Sequence, residues 1–508
     1  MNAFRTARLW RAAIGVLAAV VSLAVAELLA LFVGAGSSPL FAVGSFVIDL
    51  APPWLKDAAI ALFGTGDKAA LLVALGLLVL VLAVATGLLD TARPPWGMVL
   101  LGAIGVAAAA IALTRSGSSP LWVMPSLVGA LAGARVLQSA RRRLSAWREE
   151  GGRYSRRDFL RFAGIAAGVS VVGGAVARTM NAATTAADAA RGIIALPDAA
   201  SVTARIPSGA SLDVPGITPL VTPNDGFYRI DTALQVPVVD AASWRLRVTG
   251  MVERELELTF DELLAQPLTE STITIACVSN EVGGDLIGNA TWLGWPVRDL
   301  LARARPLPGA DMVLSRSVDG FTAGTPIEAL TDDRDSLLAV GMNGEPLPLQ
   351  HGFPVRMIVP GLFGYVSATK WLSELTVTTF AADQGYWTPR GWDALGPVKT
   401  SSRIDVPRSG QSVAAGRVAV AGVAWAQHRG IAAVEIRIDE GQWRPARLAR
   451  AVSDDTWVQW VLEWDAQPGS HTVAVRATDA DGATQRSNRL PPAPNGSEGW
   501  HTVTVTVS

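Results

Sequence analysis

Two patterns of apolar residues divide this chain. Through roughly the first 180 positions Ala, Leu, Val and Gly run on for long stretches; beyond about residue 200, short alternating runs are broken by Pro, Asp, Gly and Trp. A hydrocarbon core of ~30 Å takes about 20 apolar residues in a helix. Four stretches fit: 12–33, 69–89, 97–113 and 121–137. The apolar stretch 39–63 carries Asp49, Pro52, Pro53, Lys56 and Asp57, and reads as an interfacial or re-entrant excursion. Arg5, Arg8 and Arg11 precede the first span, Arg93 separates the second and third, and Arg135, Arg141, Arg142 and Arg143 open a basic run at the end of the fourth. With four spans these clusters share one side, which predicts a cytoplasmic N-terminus and a chain resident in the cell membrane. Glu27 lies in the first span near its outer end, either reaching the interface or acting as a functional intramembrane carboxylate.

Residues 155–161 read SRRDFLR, followed by an uncharged run over 162–177. This resembles the twin-arginine export signal, with Arg161 in place of the usual lysine. No small-residue cleavage site stands out, so the segment is expected to remain as an anchor. Twin-arginine routes carry folded proteins, which implies a domain that acquires a cofactor before export.

The later alternation predicts mixed secondary structure. Residues 217–231 form a Pro/Asn/Gly loop leading into a short strand, 242–250 a strand, 259–264 a helix capped by Thr259, and 295–304 a second short helix. Together they indicate an α+β domain up to about residue 380. From about 413, alternating strands at 418–425, 434–439, 457–464, 471–477 and 500–507 argue an all-β sandwich. The expected organisation is a four-helix transmembrane region (1–140), a basic loop with the signal anchor (141–183), a linker (184–216), a catalytic α+β domain (217–400) and a C-terminal sandwich (401–508). Averages hide this division: the chain is 50% hydrophobic with a net charge of -1. The near-neutral balance supplies no footprint for nucleic acid, and with no G-x-G-x-x-G or Walker loop there is no support for a nicotinamide or nucleotide.

Candidate chemistry centres on Cys277, the single cysteine, in TIACVSNEVGG (274–284). It cannot form an intrachain disulfide. A strand-like run precedes it and a glycine-rich loop follows, which leaves two readings: a buried inert thiol, or a ligand presented at a strand end. A second block, MNGEPLPLQHGFPVRMIVPG (342–361) continuing LFGYVSATKWL (362–372), places His351, Arg356 and Lys370 around a strand at 355–359 and a glycine-rich turn. Three nitrogen donors so placed suit a phosphate or another anion.

Together TPNDGFYR (222–229), the Cys277 loop, MNGEPLP (342–348) and HGFPVR (351–356) with KWL (370–372) resemble the sulfite oxidase family of molybdenum enzymes, which includes plant nitrate reductase and a bacterial protein-methionine-sulfoxide reductase. The resemblance runs over roughly 218–507 in collinear order. It implies a single molybdopterin with Cys277 as the thiolate ligand of molybdenum. It implies that His351, Arg356, Ser367, Thr369 and Lys370 hold the pterin and its phosphate, that Tyr228 and Arg229 reach in from the first loop, and that Asp319 of VDGF (318–321) touches the pterin. The C-terminal strands resemble the family's immunoglobulin-like domain, which mediates dimerisation, so a homodimer through this domain is a further expectation. His428, His471 and His501 read as ordinary packing residues there.

The chain also departs from the family. Where sulfite oxidases continue from the cysteine with Asn and two arginines, this chain has Asn280, Glu281, Val282 and two glycines; Glu281 and Arg229 join Cys277 as candidate catalytic residues. The family's sulfite-gripping arginine of the first loop falls opposite Ile230, and its active-site tyrosine has no obvious match near Tyr386, Trp387 and Trp392. A carboxylate in place of arginines would make an anionic substrate less welcome.

All four histidines follow residue 350, so no span offers a haem-ligating pair; no C-x-x-C-H exists, and one cysteine builds no iron–sulfur cluster. Electrons are therefore expected to pass to a separate protein or a quinone. The leading expectation is a membrane-anchored molybdopterin oxidoreductase that transfers an oxygen atom to or from a small sulfur or nitrogen compound, its catalytic domain outside the cytoplasm. The alternative is a cell-surface binding or assembly protein that keeps the fold without active metal.

Overall fold

The structure, a computed structural model, describes residues 2–52, 55, 62, 67–115, 118–149 and 187–508. The twin-arginine-like segment therefore lies outside the described residues, as do Pro53, Lys56 and Asp57. The chain forms two compact units, 1–186 with 232–235, and 187–231 with 236–508.

Among the described residues the first unit contains the helices α1 (Asn2–Val33), α2 (Pro39–Leu50), α3 (Asp67–Ala92), α4 (Trp96–Leu113) and α5 (Val123–Glu149). Windows at Arg8–Val33, Ala70–Ala92, Trp96–Leu113 and Pro120–Arg142 are long and apolar enough to cross a membrane; α2 is a shorter apolar helix. The helices run past the apolar stretches read from sequence because flanking polar residues continue the backbone ladder. Small residues allow close approach: a Cβ on Gly15 of α1 would fall 2.0 Å from the Ala83 carbonyl and 2.7 Å from the Gly87 Cα of α3. The Glu27 carboxylate accepts from Ser38 Oγ at 2.8 Å, and Ser38 Oγ in turn accepts from Phe41 N–H at 3.1 Å. Glu27 thus secures the first turn of α2. Asp90, fully buried, accepts from Arg141 Nη1 at 3.2 Å and from Met98 N–H at 3.3 Å, which ties α3, α5 and α4 together.

The second unit opens with β1 (Ser201–Val202), which pairs in parallel with the edge of the sheet below, so the stretch expected as a linker is partly built into the domain. The strands β2 (Arg245–Gly250), β3 (Leu256–Thr259), β4 (Thr269–Ala276), β5 (Ile287–Pro296), β6 (Met312–Ser317), β7 (Thr322–Pro326), β8 (Leu337–Met342), β9 (Glu345–Pro346), β10 (Arg356–Ile358) and β11 (Leu372–Thr378) form two sheets. One has the order β1-β4-β5-β8-β10, with β9 on β8; the other is β3-β2-β11-β6-β7. Helices α6 (Phe260–Leu264) and α7 (Val297–Ala304) pack on them. The Thr259 cap is present as a full capping box with Glu262. The second predicted helix starts two residues late because Trp295 and Pro296 end β5. The strand expected after the first loop is absent: 227–231 stays irregular, its polar groups turned to the site described next.

The C-terminal part is all β: β12 (Ser401–Val406), β13 (Ser412–Val413), β14 (Gly416–Trp425), β15 (Ile431–Ile438), β16 (Arg444–Pro445), β17 (Arg447–Leu448), β18 (Val458–Ala466), β19 (Gly469–Asp479) and β20 (His501–Val507). Its sheets, β12-β14-β18-β17 and β13-β20-β19-β15-β16, share a core of Val420, Trp460, Val434, Val475 and Val505. The five alternating runs of the sequence become β14, β15, β18, β19 and β20. A further core joins this part to the α+β part: Ala276 and Val278 pack with Leu220, Tyr365, Trp392, Val423 and Trp457.

Candidate active site

β4, between the two-residue β1 and β5 in its sheet, is buried along nearly its whole length and ends at Ala276. Cys277 is the next residue, 9% exposed. Its N–H donates to the Leu286 carbonyl at 2.9 Å, and Asn280 N–H donates to the Cys277 carbonyl at 3.1 Å. Asn280 Oδ1 accepts from Leu286 N–H at 2.9 Å, which closes the 277–286 loop on itself. The strand that delivers the thiol is anchored by the C-terminal sheets. Thr274 N–H donates to the Asp455 carbonyl at 2.9 Å, its hydroxyl accepts from Trp457 N–H at 2.8 Å, and its carbonyl accepts from Gln427 Nε2 at 3.1 Å. Beyond the thiol, Arg403 Nη1 donates to the Gly284 carbonyl at 2.8 Å, Ser497 Oγ donates to the Asn280 carbonyl at 2.5 Å, and His501 packs against Gly283.

The cationic block assembles around the first loop. Lys370 Nζ donates to Asp231 Oδ2 at 2.9 Å and to the Gln350 carbonyl at 3.1 Å; Arg229 Nε shares the same Asp231 oxygen at 2.8 Å. Arg356, 3% exposed, lies 5.1 Å over the Trp292 ring and donates Nη1 to the His351 carbonyl at 3.1 Å. His351 Nε2 lies 3.0 Å from the Asn224 carbonyl, so that nitrogen carries the proton and Nδ1 is left as an acceptor. Gly352 closes the turn with φ 111°; a Cβ there would sit 3.0 Å from Arg356 Cβ and 3.1 Å from Lys370 Cα.

Burial dominates the electrostatics. It pushes Lys370 down to about 8 despite Asp231, and Arg356 down to about 10. Burial, then the neighbouring Lys370 and Arg356, push His351 down to about 3, so its imidazole is neutral. Burial and the nearby Cys277 both raise the Tyr228 hydroxyl, which stays protonated. Two cations, Arg229 and Lys370, thus share the Asp231 carboxylate, and two buried polar atoms, His351 Nδ1 and Arg356 Nε, have no hydrogen-bond partner among the described residues. Leaving such groups unmade costs about 1–3 kcal/mol each. A bound anion with its own N–H donors answers both, so these residues fit a phosphorylated pterin.

Of the residues singled out from sequence, Arg229 and Lys370 meet at Asp231, Arg356 bonds the His351 carbonyl, and Tyr228 stacks on Phe227, whose ring lies against His351. Ser367 and Thr369 lie in the adjoining turn with their hydroxyls engaged, Ser367 Oγ donating to the Phe363 carbonyl at 2.9 Å and Thr369 Oγ1 lying 2.7 Å from Ser315 Oγ. Asp319 sits in the β6–β7 turn, where its Oδ1 accepts from Phe321 N–H at 3.1 Å. Glu281 is exposed, its carboxylate 3.9 Å from Arg489. Sequence reasoning missed Asp231, although it lies in the quoted loop, and missed Arg403 and Ser497, which sit more than a hundred residues from the cysteine and carry no local signal.

Residues 233–387 match the family described as oxidoreductase molybdopterin binding domain. The sulfite oxidase of Gallus gallus is 29% identical over 53% of this chain and 69% of its own length. The mitochondrial sulfite oxidase of Homo sapiens is 30% identical over 57% of this chain and 62% of its own length, so this chain spans under two thirds of that relative. Among solved structures, the sulfane dehydrogenase SoxCD of Paracoccus pantotrophus shares the fold, with a TM-score of 0.51 and 23% identity over 57% of this chain and 82% of that one. This chain carries the oxidoreductase molybdopterin binding domain and is a homologue of the sulfite oxidases.

Proposed function

We propose that this chain is a membrane-anchored oxidoreductase performing two-electron oxygen-atom transfer on a small sulfur- or nitrogen-containing compound, its catalytic domain outside the cytoplasm. The observation that carries the reading is the buried cluster of His351, Arg356 and Lys370, in which His351 Nδ1 and Arg356 Nε have no hydrogen-bond partner among the described residues, in a chain whose one cysteine, Cys277, stands buried at the end of β4. When bound, a molybdenum pterin supplies the oxygen-transfer chemistry and holds two electrons. Cys277 would hold the metal as a thiolate. Lys370 and Arg356 would neutralise the phosphate, and neutral His351 would offer Nδ1 as an acceptor to the pterin. Ser367, Thr369 and Asp319 line the pterin through their turns. Tyr228, protonated, and Arg229 would face the substrate from the first loop, and Glu281 would act on it only as an exposed charge on the cysteine loop.

At the level of the chain, residues 1–140 anchor it, 141–183 act as a twin-arginine signal anchor, 184–216 link to the pterin domain (217–400), and 401–508 form an immunoglobulin-like domain suited to pairing two copies. Four apolar helices and the arginine-rich loops support a cytoplasmic N-terminus. Electrons leave to a separate protein or a quinone.

The test is Cys277→Ser in the full-length protein. Molybdenum content and dye-linked turnover, measured with sulfite and with methionine sulfoxide, should both fall at least about a hundredfold. Unchanged metal and turnover would sink the reading.

A further inference from the structure

We propose that Arg403 is a positioning residue for the cysteine: from the C-terminal sheets, one buried guanidinium fixes the spacing between the cysteine loop and the first loop (217–231). This rests on the reading above that Cys277 holds the metal. Arg403 lies in β12 with 10% of its side chain exposed. Each of its three nitrogens has a different acceptor. Nε donates to Asp405 Oδ1 at 2.7 Å, Nη1 to the Gly284 carbonyl at 2.8 Å and Nη2 to Thr218 Oγ1 at 2.8 Å. Asp405 completes the grip, its Oδ2 accepting from Thr218 N–H at 3.0 Å. A guanidinium suits this task because it is a planar, permanently charged fork, whereas an ammonium reaches every acceptor from one point.

Both partners of the grip are built for it. The backbone of Arg403 is pinned by pairing with Val423 of β14, where a Cβ on the neighbouring Gly422 would run into the Arg403 carbonyl. On the other side, Gly283 has a φ of 84°, and a Cβ there would run into the His501 ring. A Cβ on Gly284 would lie 2.6 Å from Asn280 Oδ1, the atom that accepts from Leu286 N–H to close the loop. The two glycines are where this chain departs from the sulfite oxidases, and they are where the C-terminal sheets enter: His501 against Gly283, Arg403 on the Gly284 carbonyl. The change in the cysteine loop and the arginine of β12 are two halves of one contact. Through Thr218 the same guanidinium reaches the loop that carries Tyr228, Arg229 and Asp231.

With one cysteine in the chain, a thiol label reports position 277 alone, and because that thiol is buried its labelling rate reports opening of the loop. The experiment uses full-length protein, metal-free and molybdenum-loaded, as wild type, Arg403→Met, Thr218→Val and the double variant. Val475→Ala, in the core of the C-terminal sheets, controls for general loosening. Iodoacetamide labelling is timed in the metal-free protein, and the thiolate-to-metal absorption band is recorded in the loaded one. Arg403→Met should label at least about tenfold faster and shift the band, and Thr218→Val should label about threefold faster. The double variant should be no faster than Arg403→Met, because both changes cut one network. Labelling of Arg403→Met within about twofold of wild type, or equal acceleration by Val475→Ala, would overturn the proposal. Should Arg403→Met fail to fold, Thr218→Val decides, and an unchanged rate there overturns it. Labelling needs no molybdenum, so if Cys277→Ser keeps its metal the reading above fails while the rates still decide whether Arg403 holds the loop.

Discussion

At the residue scale, burial sets the protonation of His351 and His501 in the second unit. His501 accepts from Ile404 N–H at 3.0 Å through Nδ1, and burial, with Arg403 nearby, pushes it down to about 4. The unfolded chain therefore takes up this proton first as pH falls below about 6.5. Stability from this group is full above that value and is lost on the way down to about 4. His501→Gln, which keeps an acceptor for Ile404, should flatten urea-unfolding stability between pH 6.5 and 4.5 by about 2 kcal/mol. An unaltered pH slope would show that the imidazole is not held neutral. His351 carries the same sign over a wider window, reaching about 3, and would mask the effect if both were altered together.

At the element scale, the turn between the two blocks of the cationic pocket depends on backbone rather than side chain. Gly352 brings Arg356 and Lys370 together at a φ of 111°, which an L side chain adopts only with strain. Gly352→Ala should destabilise the second unit by about 1–3 kcal/mol and reduce molybdenum content, because the added Cβ pushes directly on both cations. Thermal unfolding and metal analysis measure the two effects; a variant with full stability and full metal would remove the turn from the site. β4 makes the complementary point. It delivers Cys277 only because Asp455, Gln427 and Trp457 hold Thr274 from the far side.

At the scale of the whole molecule, the C-terminal sheets are part of the site's support. They contribute Arg403 and Ser497 to the cysteine loop, and Trp457 Nε1 donates to the Leu220 carbonyl of the first loop at 2.8 Å. A chain ending at residue 400 exposes the shared core of Ala276, Val278, Tyr365 and Trp392 and unties both loops. It is expected to be expressed in aggregated or metal-free form, whereas Ser497→Ala alone should retain the fold with loosened metal retention. Soluble, metal-loaded truncated protein would show that the pterin domain stands without this support.

Much of this protein was legible along the chain. Long apolar runs need only length to become helices of spanning size, alternation at period two marked β14, β15, β18, β19 and β20, and the Thr259–Glu262 spacing wrote out its own capping box, because each is a local rule. Cys277, Tyr228, His351, Arg356 and Lys370 stand in short contiguous motifs, which is why the family resemblance is visible along the chain. What tertiary structure decided is long-range: that Asp231 is the carboxylate Lys370 and Arg229 share, that Glu281 lies on the surface beside Arg489, and that Arg403 and Ser497 grip a loop more than a hundred residues earlier. Pairing across such separations depends on how sheets stack and which charges burial leaves uncompensated, and neither has a period or a spacing that a linear sequence displays.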